Sequence, residues 1–291
     1  MTIKHLVLSG GGPIMFQELA ILQELERNNY LTVSNIETIY GTSAGAIVGI
    51  LISLKFDWTT LNDFLIKRPW NNVFPIHVQN ILDSYGKRGL FDIKTVEKAF
   101  KPLLDAKDLS LDITLEDFFK YSKIDIHMFA FDINQSKTID ISHKTFPTLQ
   151  LLTAIQMTCA LPILMAPVCI DNMCIMDGGV SCNYPLNNCI SSGINIDEIL
   201  GIKNKCSEHP LITQDSTLFD YIFGFIYKAI FRLNTDDEQQ PIKNEIVSDS
   251  NNLTIEILSN ALKNMEVRRE LFEKGTNEAR LFLQNSGQEF L

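Results

Sequence analysis

The stretch from Ile36 to Leu54 constrains the fold more than any other part of the chain. A short apolar run ending at Tyr40 predicts a buried strand, and the almost wholly apolar residues 46–54 predict a buried helix. Between them, residues 41–45 read GTSAG and match the pattern G-x-S-x-G. This pattern indicates a serine on a sharp, exposed turn only where it lies between a strand and a helix, as it does here.

Ser43 is therefore a candidate nucleophile. Its hydroxyl would lie at a helix N-terminus, where unpaired N–H groups and the helix dipole favour developing negative charge. Gly41 and Gly45 would leave room for the neighbouring strand and helix. An ordinary structural turn stays open as the alternative, because a five-residue pattern also arises by chance.

A run of three glycines follows the first predicted strand, at residues 4–9, and precedes an amphipathic helix over about residues 13–28. Gly10, Gly11 and Gly12 do not fit a dinucleotide-binding fingerprint, since the third glycine of that pattern is missing, and no GK[ST] supports a P-loop. A tight turn alone would need one glycine. Three glycines in a row suggest that the backbone N–H groups are left accessible to a ligand. Beside a serine nucleophile, that ligand would be the oxyanion of an acyl intermediate.

Two successive strand–helix units predict an α/β fold with a mainly parallel central sheet and helices on its faces. Ligands bind such sheets beyond the carboxyl ends of the strands, where the glycine run and Ser43 would both lie. Residues 53–123 read as a mainly helical insertion, and further helices are predicted near the C-terminus. A strand over residues 124–133 and a hairpin over residues 168–176 complete the predicted sheet.

The sequence Asp177-Gly178-Gly179 directly follows the predicted hairpin. Alone it is a common turn, but this chain has a serine that needs a base. The triad order Ser, Asp, His leaves only His209 after Asp177, in a polar segment that reads as a surface loop. A conventional triad is the less favoured alternative, and Asp177 is the best candidate for a carboxylate that takes the serine proton directly.

Charge and cysteine usage exclude several other classes of function. The formal net charge of −10 argues against nucleic acid as the main partner. The six cysteines form no C-x-x-C pair and no histidine pair has zinc-ligand spacing, so we expect no metal site. The N-terminus lacks a secretion signal and no apolar stretch reaches transmembrane length, which predicts reduced thiols and a cytoplasmic location.

Three ordered motifs together resemble those of the patatin-like phospholipases: SGGG at 9–12, GTSAG at 41–45 and DGG at 177–179. The segments FAFDIN at 129–134, LLTAIQMTCALPILMAPVCI at 151–170 and VSCNYPL at 180–186 are also similar to that family. The resemblance covers about residues 4–205. It implies a three-layer α/β/α fold and hydrolysis of lipid or phospholipid acyl esters by a Ser–Asp dyad without metal or cofactor.

The resemblance also implies a role for each motif. Ser43 would attack the acyl carbonyl, Asp177 would be the general base, and the backbone N–H groups of Gly10–Gly12 would bind the oxyanion, with Gly178 and Gly179 completing the aspartate turn. Residues 1–205 would form the catalytic domain, including the helical insertion at about 53–123. Residues 206–291 would be a mainly helical part packed on the same domain.

One departure from the family concerns the glycine run. The family pattern G-G-G-x-[R/K]-G is replaced here by three glycines followed by Pro13, Ile14 and Met15. Proline has no N–H to donate, and losing one oxyanion donor typically costs about 100- to 1,000-fold in rate. A second hypothesis is therefore a catalytically weak or silent protein of this fold that binds lipid or a partner.

Residues 218–233, LFDYIFGFIYKAIFRL, form the most apolar and aromatic stretch of the chain. On a helix its polar residues fall on one narrow stripe, so most of the surface must be buried or lie in a lipid interface. Burial against the sheet is favoured, and peripheral contact with a membrane stays open.

Overall fold

The computed structural model describes residues 2–76, 86–206, 212–234, 240–250 and 254–286. Within these residues, the strands are β1 (His5–Leu8), β2 (Thr38–Thr42), β3 (Gly89–Phe91), β4 (Asp125–Asp132), β5 (Lys137–Ile141), β6 (Ile163–Met165), β7 (Val168–Ile170), β8 (Met173–Asp177), β9 (Ile199–Cys206) and β10 (Glu245–Ser250). The helices are α1 (Met15–Arg27), α2 (Ala44–Ser53), α3 (Trp58–Lys67), α4 (Ile93–Asp105), α5 (Leu115–Ser122), α6 (Leu151–Thr158), α7 (Leu186–Ser191), α8 (Leu218–Asn234), α9 (Ile255–Lys263) and α10 (Met265–Asn285).

Eight of these strands form the central sheet, in the order β10-β9-β1-β2-β4-β8-β7, with β5 paired to β4. The pairs from β10 through β4 are parallel, whereas β5, β8 and β7 are antiparallel to their neighbours. Strands β3 and β6 form a separate parallel pair. The prediction of an α/β fold with a mainly parallel sheet is confirmed.

Buried side chains on both faces of the sheet form two cores. Leu6 and Leu8 of β1 point into a large core shared with α1, α2, α4 and α6, whereas Val7 points into a smaller core with α7. Successive strand residues point to opposite faces, so a strand covered on both sides must be apolar throughout. The burial of both faces explains why the first two predicted strands are largely apolar. The two cores also show that helices pack on each side of the sheet, as a three-layer fold requires.

The structure corrects several element boundaries and adds strands that the sequence pattern did not indicate. Helix α1 begins at Met15, because residues 12–14 form one turn of 3₁₀ helix first. In the described parts of the segment predicted to be mainly helical, residues 53–76 and 86–123, the structure has α3, α4 and α5, and it also has β3. Strands β5 and β10 were not predicted, since residues 137–141 and 245–250 read KTIDI and EIVSDS, and polar residues interrupt their apolar pattern.

A buried arginine joins the C-terminal helices to the rest of the fold. Arg268, at the start of α10, is only 2% exposed. Its guanidinium donates hydrogen bonds to the carbonyl oxygens of Ile66 and Arg68, at the end of α3, and of Ala261 and Leu262, near the end of α9. The negative ends of two helix dipoles thus replace a carboxylate as the partner of this charge. Helix α9 is held where it lines the cavity described below.

Candidate active site

Ser43 lies on the turn between β2 and α2. Its backbone angles, φ 51° and ψ −115°, are strained for a residue with a side chain. The α2 helix begins so close to β1 that a Cβ at Gly45 would collide with the Leu8 carbonyl oxygen. Glycine is therefore required there, and the close approach fixes the serine at the carboxyl edge of the sheet.

Two threonines hold this turn from neighbouring elements. The Ser43 N–H donates to Thr158 Oγ1 at 2.9 Å, and the Thr158 hydroxyl donates to the Phe129 carbonyl oxygen at 2.6 Å. The Thr42 hydroxyl donates to the Cys182 carbonyl oxygen at 2.7 Å. The strained turn is thereby bound to α6, to β4 and to the loop after β8. No sequence pattern indicated Thr158, because its role depends on a contact between distant segments.

Asp177 ends β8 and lies close to Ser43. Strands β2 and β8 follow one another along the same edge of β4: Thr42 pairs with Phe129, and Asp177 pairs with the next residue, Ala130. The carboxylate is 6% exposed and accepts hydrogen bonds from the Ser43 side chain and, at 2.8 Å, from the Gly179 N–H. Burial raises the pKa of Asp177 to about 6, and the two hydrogen bonds oppose that rise. The structure thus brings together the serine and the aspartate that the sequence singled out.

A cysteine also lies at this point. The Cys159 thiol forms a side-chain hydrogen bond with Ser43, and its pKa is raised by burial and by the charge of Asp177. The sequence analysis treated Cys159 only as one of six core thiols.

The glycine run borders the same space and is held by two asparagines. The Gly10 carbonyl oxygen accepts hydrogen bonds from Asn204 Nδ2 at 3.1 Å and from Asn183 Nδ2 at 3.3 Å. The Gly10 N–H donates to the Asn183 carbonyl oxygen at 3.1 Å, and the Asn204 N–H donates to Ser9 Oγ at 2.7 Å. We call these two side chains the asparagine clamp. Sequence reasoning missed both, because Asn183 lies in the loop after β8, Asn204 lies within β9, which the sequence pattern did not predict, and only the fold brings them to Gly10.

The residues that depart from the family pattern have different surroundings. Ile14 is 2% exposed and packs into protein, whereas Pro13 and Met15 border the cavity. Gly12 has a φ of 62°, in the left-handed region that glycine adopts without strain. Ile14 thus contributes to packing. The positive charge that the family pattern has at this position is not supplied by Pro13 or Met15 either.

One cavity of about 990 Å³ contains all of these groups. Ser43, Asp177 and the three glycines border it, and one part of its wall is apolar and aromatic: Phe16, Ile47, Leu51, Phe64, Trp70, Phe74, Phe91 and Phe100. Another part is polar and includes Tyr184, Lys203, Lys205 and Glu245. The cavity can therefore hold an apolar chain and a polar group at once, with Ser43 on the same wall.

Helix α8 lies near the turn that follows Asp177. Phe223 is buried against Leu161 and Leu164, which border the cavity. Leu218, Tyr221 and Phe225 are 69%, 57% and 67% exposed. Their spacing puts them on one side of the helix. One face of α8 thus packs as predicted, while another presents an apolar surface to solvent.

Three expectations from the sequence are compared here with the described residues. His209, the histidine of the alternative triad, lies outside them. Within the described part of the chain, no three histidine, cysteine or acidic side chains are grouped to hold a metal ion. In the same part, no helix has the length and apolar character needed to cross a membrane.

Comparison with known proteins finds a family model and curated relatives that match part of this chain. The family model described as patatin-like phospholipase matches residues 6–190. A protein of invertebrate iridescent virus 6 named "probable lipid hydrolase" is 26% identical over 63% of this chain and 62% of its own length. An uncharacterized protein of Acanthamoeba polyphaga mimivirus is 24% identical over 63% of this chain and 60% of its own. The matches thus span about three fifths of these relatives.

A solved structure is similar in fold. The crystal structure of VipD from Legionella pneumophila superposes with a TM-score of 0.59, covering 97% of this chain and 67% of that one, at 18% identity. At this identity the likeness concerns the fold alone.

The buried charge of Asp177 predicts a pH-dependent change in stability. Its pKa is higher in the folded chain, about 6, than the ordinary value of 3.8, so the stability that the protonated Asp177 contributes is fully present below pH 3.8 and is lost as the pH rises through 6. Relative to wild type, Asp177→Asn should be more stable by roughly 1–3 kcal/mol near pH 8 than it is near pH 4. Urea unfolding of both proteins at the two pH values measures this difference. A difference that does not change with pH would contradict the prediction.

Proposed function

The chain belongs to the patatin-like phospholipase family, and on that premise we propose that it hydrolyses acyl esters of lipids through Ser43 and Asp177. The observation that carries the proposal is the meeting of Ser43, Asp177 and the glycine run on the wall of one largely apolar cavity. A serine needs a base within hydrogen-bond reach, and Asp177 accepts a hydrogen bond from its side chain.

In the proposed first step, Ser43 Oγ attacks the acyl carbonyl carbon while its proton passes to Asp177. The proton then passes to the leaving alcohol, and the C–O bond to that alcohol breaks. A carboxylate with a pKa of about 6 is ionised at neutral pH and is more basic than an exposed aspartate, which suits it to this transfer. The Gly179 N–H keeps the carboxylate oriented toward the serine.

The acyl-serine intermediate is then hydrolysed in the reverse order of bond changes. Asp177 takes a proton from a water molecule, the resulting hydroxide adds to the acyl carbon, and Ser43 leaves with the proton that Asp177 returns. The products are a carboxylic acid and free enzyme. Buried surroundings strengthen each of these electrostatic interactions.

The asparagine clamp supports an oxyanion site at the glycine run. A trans peptide directs its C=O and N–H to opposite sides. Because Asn183 and Asn204 bind the Gly10 carbonyl oxygen, the N–H of Gly11 points away from them, and Gly11 borders the cavity. We assign this N–H as an oxyanion donor, with Gly12 as the second. Pro13 has no N–H, so the site uses donors that precede it.

The cavity suggests the substrate class. Its apolar and aromatic wall fits an acyl chain, and the lysines at 203 and 205 supply positive charge where a phosphate head group would lie. A phospholipid satisfies both parts of the wall at once.

The main test is ester hydrolysis by wild type, Ser43→Ala and Asp177→Asn, with short-chain chromogenic esters and phospholipid vesicles. We expect each variant to lose at least about 10,000-fold in kcat/KM, because residues of one catalytic unit fail together. Wild-type kcat/KM should rise with pH around a midpoint near 6, where Asp177 ionises. Ser181→Ala, which removes a hydroxyl bonded to Thr138, is the matched control and should retain activity.

Equal activity of wild type and Ser43→Ala on every substrate would reject hydrolysis. The silent lipid-binding protein, motivated by Pro13 in the glycine run, would then be the better assignment.

The clamp has a separate test. Asn204→Ala should lower kcat by about 10- to 100-fold with little change in KM, because the Gly10–Gly11 peptide loses one of its two side-chain anchors while the apolar wall is intact. Steady-state kinetics measure both constants. Asn187→Ala, at an exposed position on α7, is the control and should behave as wild type. A rise in KM with unchanged kcat would show that Asn204 acts in substrate binding instead.

We further propose that α8 contacts the lipid surface from which the substrate is drawn. Leu218, Tyr221 and Phe225 form an exposed apolar face on a helix that lies beside the Asp177 turn, so contact there would bring the cavity near the bilayer.

Cosedimentation with phospholipid vesicles tests this contact. Replacing Leu218, Tyr221 and Phe225 together by serine should reduce the bound fraction at least about fivefold, because the apolar area that enters the interface is lost. Hydrolysis of a short-chain ester in solution should be unchanged. Leu281→Ser, at an apolar side chain exposed on α10, is the matched control. Unchanged vesicle binding of the triple variant would reject the proposed surface.

A further inference from the structure

Two cysteines face each other across the hairpin that leads to Asp177. Cys169 of β7 and Cys174 of β8 are paired in register, and their Sγ atoms are 3.3 Å apart. Directly opposed residues of antiparallel strands have Cα atoms about 4.5–5.5 Å apart, and a disulfide spans Cα separations of about 4.4–6.8 Å. The two sulfurs can therefore bond with no movement of the backbone.

A cation lies beside this pair. The Arg88 guanidinium is 3.5 Å from Cys169 Sγ, and both side chains are on the exposed side of the hairpin. A positive charge next to a thiol favours its thiolate, which is the reactive form. Cys174 is less exposed, and burial followed by its hydrogen bond with Cys169 raises its pKa. Cys169 is the more exposed of the two sulfurs and lies beside the guanidinium, so it meets an oxidant first, and Cys174 is the residue that resolves it.

We infer that Cys169 and Cys174 form a redox-active dithiol that a hydroperoxide converts to a disulfide. The Cys169 thiolate attacks the peroxide, the O–O bond breaks, and the products are a sulfenic acid and, after protonation, water or an alcohol. The Cys174 sulfur then displaces hydroxide from the sulfenic acid, giving the disulfide and a second water. Each sulfur loses one electron and the peroxide gains two, so two thiols and hydrogen peroxide yield one disulfide and two waters.

The bond would be reversible. It closes a loop of only a few residues, so it removes little entropy from the unfolded chain and adds little stability. An exposed disulfide of this kind is readily reduced by another dithiol. The other described cysteines are less suited to this chemistry, because burial raises the pKa of Cys159 and Cys189 and neither is exposed. Cys182 is paired with Asn188 instead.

The sequence offers a direct assay of the bond. There is no lysine or arginine between 144 and 203, so trypsin leaves five cysteines in one peptide. Cleavage before aspartate instead separates residues 140–170 from residues 171–176, since Asp171 lies between the two cysteines. The reduced protein is treated with hydrogen peroxide, its remaining free thiols are blocked with N-ethylmaleimide, and it is digested before aspartate. Mass spectrometry then measures the peptide masses before and after reduction.

We expect peptides 140–170 and 171–176 to be recovered as one disulfide-linked product that reduction separates. Cys169→Ser should abolish the product, whereas Cys182→Ser, the matched control, should leave it unchanged. Arg88→Gln should slow its formation about two- to fivefold, as loss of a nearby cation predicts when lower thiolate content is partly offset by greater nucleophilicity.

Three outcomes would overturn the inference. In the first, peroxide leaves both cysteines available to N-ethylmaleimide, and in the second, Cys169 is oxidised to sulfinic acid with Cys174 free. In the third, the linked product persists in Cys169→Ser, which assigns the bond to Cys159. Each outcome is read from peptide masses and is independent of ester hydrolysis, so the result stands whether or not the proposed function holds.

Discussion

The position of β4 in the sheet is the constraint on which the site depends. One edge of β4 pairs first with β2, at residues 125–129, and then with β8, at residues 130–132, while β5 takes the other edge. Thr42 lies opposite Phe129 and Asp177 lies opposite Ala130, so the ends of β2 and β8 meet on this edge and the backbone places the Ser43 turn next to Asp177. The Phe129 carbonyl oxygen of β4 also accepts the hydroxyl of Thr158, which in turn binds the Ser43 N–H. Backbone geometry, rather than loop flexibility, thus brings the two side chains together.

Several polar groups near the ends of β2 and β8 lower the stability of the folded chain. Ser43 has strained backbone angles, and Asp177 keeps a carboxylate in a site that raises its pKa. Glu18, fully buried beside Ser9, is a further carboxylate whose pKa is raised well above its ordinary value by burial. Such groups cluster where the glycine run, the serine turn and the aspartate turn converge. Local destabilisation compensated by packing elsewhere is common at functional sites.

The sequence predicted the parts of this arrangement that are local. The apolar runs of β1, β2 and α2, and the motifs at Ser43 and Asp177, could be read because strand periodicity and turn chemistry need only neighbouring residues. Thr158, Asn183 and Asn204 could not, since their importance arises from contacts between distant segments. Strand β10 was not predicted for a related reason: its largely polar sequence forms a strand by pairing with the free edge of β9. The assigned domain boundary near residue 205 stays a prediction, as do the catalytic roles.

The place of β1 between β2 and β9 has a consequence for biosynthesis. Ser9 and Asn204 are 195 residues apart in the chain, yet they are joined by a hydrogen bond at the glycine run. A ribosome releases the chain from its N-terminus at roughly 5–20 residues per second. The groups that hold the strained serine turn are complete only after Thr158 and Cys182 have emerged, and the clamp on Gly10 only after Asn204 has emerged. The nascent chain would thus contain the Ser43 motif long before it could form a finished site, which would delay hydrolysis until translation is well advanced.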